Sequence, residues 1–393
     1  MNIDANRPDL TVGVIGAGAM GRGIAQVAAA GGMNVLMTDS RPGAAQEARD
    51  FIEKMLARAA EKGSMSKDEA AAAVNRIKIV SGPADMKPCH VVIEAIVENL
   101  DAKRQLFAEL ENIVAPDCII VTNTSSLSVT TIAAKLKTPQ RFGGFHFFNP
   151  VPLMKLVEVI DGLRTENWVS EALMVIGRRM TREPVRCTDA PGFLVNQVGR
   201  GFTLEAAHLV HEGISTFADV DRVMRDVGGF RMGPFELMEL TGLDVTHPAS
   251  ELIYNQFFQE PRYRPNLIMR ARYEAGVLGR KTKKGFYDYD PEMKPIAPPE
   301  PAPPAARPQS VWVSPVEPQG HKTLTDLLAN LGASHESGSK PSGNALILVT
   351  PIGEDATTCA VEQKLDPKRT VAVDTLFPMV KRRTIMCTPV TDR

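Results

Sequence analysis

Residues 11–21 read Thr-Val-Gly-Val-Ile-Gly-Ala-Gly-Ala-Met-Gly, a short apolar run that passes into a glycine-rich turn. An alanine-rich helix is predicted over 20–30 and a second strand over 34–38. A strand, a glycine turn, a helix and a second strand in this order are typical of a dinucleotide-binding βαβ unit. We therefore expect an α/β fold that begins with a Rossmann-type doubly wound sheet.

The three glycines of the turn have separate expected roles. Gly16 permits the tight turn, Gly18 lets the backbone approach a pyrophosphate, and Gly21 allows the helix to pack closely on the sheet. The helix that follows would direct its unpaired N–H groups and its positive dipole end towards the phosphates. Met20 lies in the same segment and is included in the predicted cofactor site.

Asp39 follows the second predicted strand, eighteen residues after Gly21. An acidic side chain near this position accepts hydrogen bonds from the adenosine ribose and would repel the 2′-phosphate of NADP. The predicted cofactor is therefore NAD, although the nearby Arg41 leaves some tolerance of that phosphate open. The alternative for Asp39 is a turn residue that opens the segment 39–43.

A second informative stretch, 146–158, begins with His146 and ends with Glu158. Histidine titrates near neutral pH and accepts a hydroxyl proton, while a carboxylate on its other ring nitrogen fixes the tautomer and stabilises the imidazolium. Glu158 lies in the apolar run 156–160, which predicts a buried strand where an unpartnered carboxylate is costly. The two residues form a candidate catalytic pair. The alternative is a satisfied core histidine and an edge-strand glutamate.

Two further motifs complete a set of four. Residues 123–127 read Asn-Thr-Ser-Ser-Leu, and residues 191–196 read Pro-Gly-Phe-Leu-Val-Asn. In this order and spacing the four motifs resemble the L-3-hydroxyacyl-CoA dehydrogenase family, in its 3-hydroxybutyryl-CoA dehydrogenase group, over about 11–290. The resemblance implies NAD-dependent oxidation of a short-chain (S)-3-hydroxyacyl-CoA to the 3-ketoacyl-CoA. One motif alone would count for little, because a fold hosts many functions.

The resemblance assigns roles to five residues. His146 would take the hydroxyl proton, Glu158 would orient and charge-pair the imidazole, and Asn149 would fix the loop that carries it. Ser125 and Asn196 would hold the hydroxyl and thioester oxygens, and Asn196 would also stabilise developing enolate character. Taken alone, Ser125 is equally a residue of a helix-capping loop, and Asn196 a polar residue at a helix end.

Four charged residues belong to the predicted ligand contacts. The resemblance assigns Glu98 and Lys103 to the nicotinamide-ribose region, although Glu98 alone is as well explained as an acid in the first turn of a helix. Lys54 and Lys62 lie on one face of a long predicted helix. A lysine at the position of Lys62 binds the CoA phosphate in the resembled family. A charged row on a surface helix is as often a solvated face.

Length and composition limit the class of protein. The chain has 393 residues, of which 44% are apolar, as is typical of a globular enzyme of two or three domains. Its net charge of −1 argues against nucleic-acid binding. No apolar run approaches the ~18 residues of a membrane span, and the N-terminus lacks a signal-peptide pattern, so a cytoplasmic location is expected. The five scattered cysteines predict neither disulfides nor a metal site.

The breaker pair at 191–192 ends the first predicted domain. Residues 1–189 are the predicted NAD-binding Rossmann domain, and 190–290 a second, all-helical domain. The resemblance implies that this second domain supplies a homodimer contact and completes the acyl-CoA pocket. Its helices are expected at about 217–227, 234–240, 245–258 and 265–275.

Beyond residue 290 the composition changes. Prolines recur through 291–318, which predicts a stiff, exposed linker. Residues 319–393 are predicted to form a small, partial α/β extension that resembles the start of an extra module in longer bacterial members of the family. It contains no second glycine fingerprint or His–Glu pair, so we expect it to be catalytically silent. Its expected elements are a helix at 322–331, a strand at 345–350, a helix at 355–365 and a strand at 370–374.

Two alternative functions stay open at this point. A related enzyme on the same scaffold, as in the lambda-crystallin-like branch, would oxidise a free hydroxy or sugar acid. A non-catalytic NAD-binding or structural protein belongs to a different class, and the joint presence of His146, Glu158, Ser125 and both asparagines argues against it. Acyl chain length cannot be read from the sequence, because pocket depth depends on packing.

Overall fold

The computed structural model describes residues 3–299, 306–376 and 385–387. The chain forms two compact units, which are Met1–Gly201 with Glu251–Tyr263, and Phe202–Ser250 with Arg264–Arg393. In the described part of the chain, no helix combines the length and the apolar character that a membrane crossing requires.

The first unit contains an eight-stranded sheet. Its strands are β1 (Thr11–Ile15), β2 (Asn34–Thr38), β3 (Ile77–Ile79), β4 (Val91–Glu94), β5 (Ile119–Thr122), β6 (Phe142–Phe147), β7 (Leu156–Asp161) and β8 (Glu183–Thr188). They lie in the order β3-β2-β1-β4-β5-β6-β7-β8, and all neighbours are parallel except β6 and β7. The order reverses between β1 and β4, where the carboxyl ends of the strands form the crevice in which open α/β sheets bind ligands.

Helices cover both faces of this sheet. They are α1 (Ala19–Ala30), α2 (Ala44–Glu61), α3 (Lys67–Asn75), α4 (Leu100–Ile113), α5 (Val129–Ala133) and α6 (Asn167–Arg179), with 3-10 turns at Pro83–Met86 and Pro139–Arg141. Val91 and Ile93 of β4 belong to one buried apolar cluster, and Val92 belongs to another. Because successive strand residues point to opposite faces, the two clusters lie on the two sides of the sheet. The predicted Rossmann-type doubly wound sheet is confirmed.

The second unit begins with helical structure. Its helices include α8 (Phe217–Asp226), α9 (Pro234–Thr241) and α11 (Leu267–Glu274), with a 3-10 turn at Arg280–Thr282. Two helices, α7 (Val195–His211) and α10 (Leu243–Gln256), belong partly to each unit, and the 3-10 turn Pro261–Tyr263 belongs to the first. Phe235, Met238 and Phe286 lie in its buried apolar cluster. The buried carboxylate of Asp221 accepts hydrogen bonds from the Phe235 N–H at 2.9 Å and from the Tyr287 hydroxyl at 2.6 Å. The predicted helical region is confirmed.

The rest of the second unit contains a two-stranded sheet and a five-stranded sheet. The elements after residue 287 are β9 (Asp288–Tyr289), β10 (Pro295–Ile296), β11 (Val311–Val313), α12 (Pro318–Asn330), β12 (His335–Glu336), β13 (Leu346–Val349), α13 (Ala356–Glu362), β14 (Thr370–Val373) and β15 (Ile385–Cys387). The sheet order is β12-β11-β13-β14-β15, and the predicted βαβ unit is present as β13, α13 and β14. Its core includes Trp312, Ile347 and Ala372, all buried. The predicted small α/β extension is confirmed.

The structure differs from the prediction in the segment 291–318. This segment was expected to be an extended linker, yet β10 pairs with β9, and β11 pairs with both β12 and β13. The three residues of β11 are Val-Trp-Val, and all are buried. Burial of this apolar run stabilises a strand in spite of the prolines before it. Residues 300–305, within the same segment, lie outside the described residues.

Candidate active site

The glycine turn lies between β1 and the first turn of α1. Gly16 has a φ of 101°, a conformation that favours glycine, and a Cβ at this residue would overlap the carbonyl of Ala95. A Cβ on Gly21 would overlap the carbonyl oxygen of Gly16. Gly18, in contrast, is exposed, and a Cβ at this residue would have no atom within 4 Å. Two glycines therefore let the turn form, and the third leaves its backbone accessible.

This accessible backbone fits the pyrophosphate of a dinucleotide. Gly18 is the N-cap residue of α1 and contributes no side-chain hydrogen bond to the helix. The first N–H groups of α1 therefore keep their capacity to bind an anion, and the helix dipole favours negative charge there. These are the features that the sequence predicted for a cofactor cradle at Gly16, Gly18 and Gly21.

Asp39 lies beside the cradle. One carboxylate oxygen, Oδ2, accepts a hydrogen bond from the N–H of Ala17 at 2.6 Å, and Oδ1 accepts one from the N–H of Arg41 at 2.8 Å. The two bonds fix the carboxylate against the turn. Because each carboxylate oxygen has two lone pairs, both oxygens retain the capacity to accept a ribose hydroxyl.

His146 and Glu158 are brought together by strand register. They lie directly opposite each other in the antiparallel pair of β6 and β7. Nδ1 of His146 is 2.6 Å from Oε2 of Glu158, and both side chains are buried. A carboxylate can only accept a hydrogen bond, so Nδ1 carries the hydrogen of the neutral ring and Nε2 keeps its lone pair. The geometry therefore leaves Nε2 as the basic atom.

Glu158 also holds the start of α7. Its Oε1 accepts hydrogen bonds from the N–H of Leu194 at 3.1 Å and from that of Val195 at 2.8 Å. A negative charge at a helix N-terminus is favourable. The same carboxylate thus fixes the histidine and the helix turn that carries Asn196. Sequence reasoning missed this second contact, although a buried carboxylate in an apolar strand indicates that both oxygens need partners.

A cavity of about 310 Å³ collects most of the predicted site residues. Its wall is formed by Met20, Ala95, Ile96, Glu98, Lys103, Asn123, Ser125, His146, Phe147, Phe148, Asn149 and Asn196. Glu158 lies behind the histidine and does not contribute to the wall. A larger cavity, of about 390 Å³, lies between α2 and α3 and contains none of the predicted catalytic residues. The smaller cavity is therefore the candidate active site.

Aromatic rings and one asparagine hold the histidine in the cavity wall. The His146 ring lies 4.6 Å from the ring of Phe148 and 5.7 Å from that of Phe193, measured between centroids. Oδ1 of Asn123 accepts a hydrogen bond from the N–H of Phe147 at 2.9 Å. The end of β5 is thereby tied to the end of β6. Asn123 was part of a recognised motif, but no role was predicted for it.

A buried charge network lies on another wall of the cavity. The Lys103 amine is 2.6 Å from Oε1 of Glu94 and 3.3 Å from Oε2 of Glu98. The Glu94 carboxylate is fully buried, and its Oε2 accepts a hydrogen bond from the Thr122 hydroxyl at 2.7 Å. Glu94 was not predicted as a site residue. Its position at the end of a buried apolar strand was the available indication.

Glu98 organises the loop that carries Ser125. Its Oε1 accepts hydrogen bonds from the hydroxyls of Thr124 at 2.6 Å and Ser126 at 2.8 Å, and from the N–H of Ser125 at 3.1 Å. Burial acts to raise the pKa of Glu98, but the Thr124 hydroxyl, the Lys103 charge and the Ser126 hydroxyl together hold it below its usual range. Glu98 is therefore ionised at neutral pH.

The predicted CoA contacts lie elsewhere. Lys54 is on α2 and Lys62 follows the last residue of that helix, and both are exposed. Neither is part of the cavity wall. The described residues also contain no cluster of three or more His, Cys, Asp or Glu side chains that is placed to bind a metal ion.

An anion cradle beside a cavity with a carboxylate-held histidine defines a dinucleotide-dependent dehydrogenase. Two family models identify the family. Residues 11–190 match the NAD binding domain of 3-hydroxyacyl-CoA dehydrogenase, and residues 192–289 match the C-terminal domain of the same enzyme. The chain therefore belongs to the 3-hydroxyacyl-CoA dehydrogenase family of oxidoreductases. The predicted family and the predicted cofactor, NAD, are confirmed.

The names of similar proteins support this assignment. The chain is 40% identical to the 3-hydroxyadipyl-CoA dehydrogenase of Escherichia coli (strain K12), in an alignment that covers 73% of this chain and 60% of that protein. It is 41% identical to a probable 3-hydroxybutyryl-CoA dehydrogenase of Bacillus subtilis (strain 168), over 70% of this chain and 96% of the relative. The chain thus spans about 60% of the length of the first relative and nearly all of the second.

A solved structure resembles nearly the full length of this chain. The crystal structure of 3-hydroxybutyryl-CoA dehydrogenase from Escherichia coli K12 aligns with a TM-score of 0.82 and 32% sequence identity. The alignment covers 98% of this chain and 76% of that chain. The similarity therefore includes the C-terminal module beyond the two matched family domains.

Proposed function

We propose that this protein catalyses the reversible oxidation of (S)-3-hydroxyacyl-CoA to 3-ketoacyl-CoA with NAD. The observation that carries the proposal is the 2.6 Å contact between Nδ1 of His146 and Oε2 of Glu158, in the wall of a cavity that also contains Ser125 and Asn196. The arrangement supplies a base, an orienting carboxylate and two oxygen ligands. A secondary alcohol that loses hydride at carbon needs such a base for its hydroxyl proton.

The proton is transferred to His146. Nε2 takes the hydroxyl proton during oxidation and returns it during reduction. Glu158 holds the tautomer in which Nε2 is free and stabilises the positive charge that develops on the ring. When bound in the cradle, NAD supplies the acceptor for the hydride from C3.

Three polar residues are proposed to position the substrate. Ser125 and Asn196 present a hydroxyl and an amide to the same cavity as the histidine, and we assign them to the substrate oxygens. An amide donor placed at the thioester oxygen would stabilise enolate character during the reaction. Asn149 is proposed to fix the loop after β6. Glu98 and Lys103, with Met20, are assigned to the cofactor side of the cavity.

The test is the oxidation of NADH by acetoacetyl-CoA, which is monitored as the loss of reduced-nicotinamide absorbance. Free acetoacetate is the matched substrate without CoA. We expect turnover of the thioester and at least a hundredfold lower kcat/KM for the free acid, because binding energy from remote substrate groups supports the chemical step. Equal rates would favour the free hydroxy-acid alternative. Binding of NADH without turnover of either compound would favour the non-catalytic alternative.

Finer features are part of the same proposal. The relatives named 3-hydroxybutyryl-CoA dehydrogenase support a short acyl chain, to be measured as kcat/KM across a chain-length series. We propose that Lys62, with Lys54, contacts the CoA phosphate. We also propose a cytoplasmic location and a division into domains 1–189 and 190–290, followed by an extension 319–393 whose sheet also includes β11.

A homodimer formed through the helical domain completes the proposal. Exposed apolar side chains on the helical part of the second unit support it, because contact with a partner would remove their apolar surface from water. They include Phe230, Leu240 and Val245, each more than half exposed. Light scattering at several concentrations tests the dimer.

A further inference from the structure

The ion pair of Arg41 and Glu47 lies next to the cofactor cradle. The guanidinium donates two parallel hydrogen bonds to the carboxylate, from Nη1 to Oε1 at 3.0 Å and from Nη2 to Oε2 at 2.6 Å. Bidentate contacts of this kind are more specific than a single charge contact. The hydrogen bond from Arg41 keeps the pKa of the Glu47 carboxyl below its usual range, so Glu47 is ionised at neutral pH.

Arg41 is the cation nearest in sequence to Asp39, and its own N–H binds the Asp39 carboxylate at 2.8 Å. The ribose of the adenosine lies near the acidic residue at the end of the second strand in this class of fold, and an arginine close to that position accommodates the 2′-phosphate of NADP. The chain therefore has, side by side, a residue that disfavours the phosphate and one that would bind it.

We propose that Glu47 determines cofactor choice by engaging the Arg41 guanidinium and withholding it from the 2′-phosphate of NADP. The inference rests on the proposed function only in that a dinucleotide occupies the cradle. Asp39 contributes repulsion towards the phosphate. Glu47 occupies the guanidinium fork that would otherwise match phosphate oxygens.

The expected size of the effect follows from exposure. The side chains of Arg41 and Glu47 are 61% and 65% exposed. An exposed ion pair is weak, so the 2′-phosphate competes with Glu47 for the Arg41 guanidinium at a moderate cost in free energy. Asp39 repels the phosphate whether or not Glu47 is present. Neutralising Glu47 should therefore lower the ratio of Kd for NADPH to Kd for NADH about two- to fivefold.

The experiment measures Kd for NADH and NADPH by the change in reduced-nicotinamide fluorescence, with no CoA compound present. The wild type is compared with Glu47→Gln, with Arg41→Gln and with the double variant. Glu53→Gln is the matched control, because Glu53 is also an exposed acid on α2. The expected result is a lower ratio in Glu47→Gln, no change in Glu53→Gln, and no effect of the Glu47 substitution once Arg41 is absent.

Three results would overturn the inference. They are an unchanged ratio in Glu47→Gln, an equal gain in Glu53→Gln, and an equal gain when Arg41 has already been replaced. If the wild-type protein did not bind NADH, both this inference and the proposed function would be overturned. Normal NADH binding without turnover of acetoacetyl-CoA would contradict only the proposed substrate, and the cofactor ratio would still decide the role of Glu47.

Discussion

Replacement of Glu158 by glutamine changes the ring tautomer of His146 as well as the charge. The side-chain oxygen at the Oε1 position is held by the N–H groups of Leu194 and Val195. An amide can accept those two bonds only through its oxygen, so its NH2 group must face Nδ1 of His146. Nδ1 would then have to accept a hydrogen bond, and the ring proton would move to Nε2. The proposed base would lose its lone pair.

The magnitude follows from the lost charge and from the wrong tautomer. For charge centres about 4 Å apart and an effective dielectric constant of about 20, a carboxylate stabilises an imidazolium by about 4 kcal/mol. This free energy corresponds to a rate factor of about 10³. The wrong tautomer adds to the loss, so we expect Glu158→Gln to lower kcat by about 10³- to 10⁴-fold.

The assay is steady-state oxidation of NADH with acetoacetyl-CoA, together with fluorescence titration of NADH. Glu183→Gln is the control, because Glu183 is an exposed acid on the neighbouring strand β8. Thermal unfolding confirms that both variants are folded. If folded Glu158→Gln protein kept kcat within tenfold of the wild type, the role of Glu158 in setting the tautomer would be refuted.

Two further predictions concern the buried carboxylates. Glu94→Gln leaves the buried amine of Lys103 without its nearer counter-charge. We expect the free energy of unfolding, measured by urea denaturation, to fall by about 2 to 4 kcal/mol, and NADH binding, measured by titration, to weaken. Unchanged values of both would contradict the role of this network. Burial raises the pKa of Asp221 to about 6, so the folded protein binds this proton more tightly than the unfolded chain. Stability should fall by about 3 kcal/mol as pH rises from about 3 to about 7, most steeply between the unfolded and folded pKa values, and Asp221→Asn should remove that component. Equal pH slopes in urea melts of the two proteins would show that Asp221 does not cause it.

The sequence predicted the first βαβ unit because local patterns determine it. Gly16, Gly18 and Gly21 act within a few residues of one another, and the apolar runs beside them have the periods of a strand and a helix. The pairing of His146 with Glu158 was reached through a motif. Periodicity alone does not give the register of β6 and β7, which sets the two residues opposite each other.

Other contacts depend on tertiary structure. Glu94 ends a strand, Lys103 lies on the next helix, and only the packing of α4 against the sheet brings their charges to 2.6 Å. The second role of Glu158, at the start of α7, likewise joins segments 36 residues apart. β11 was missed because prolines dominated the composition of its surroundings, while burial depended on a sheet that forms from later residues.

The most direct test of the central claim is the turnover of His146→Gln with NADH and acetoacetyl-CoA. Glutamine removes the ring nitrogen that is proposed to exchange the proton, while the glycine cradle and Asp39 are left in place. We predict a kcat lower by about 10²- to 10⁴-fold with NADH affinity close to that of the wild type. Near-normal turnover by this variant would contradict the assignment of His146 as the base.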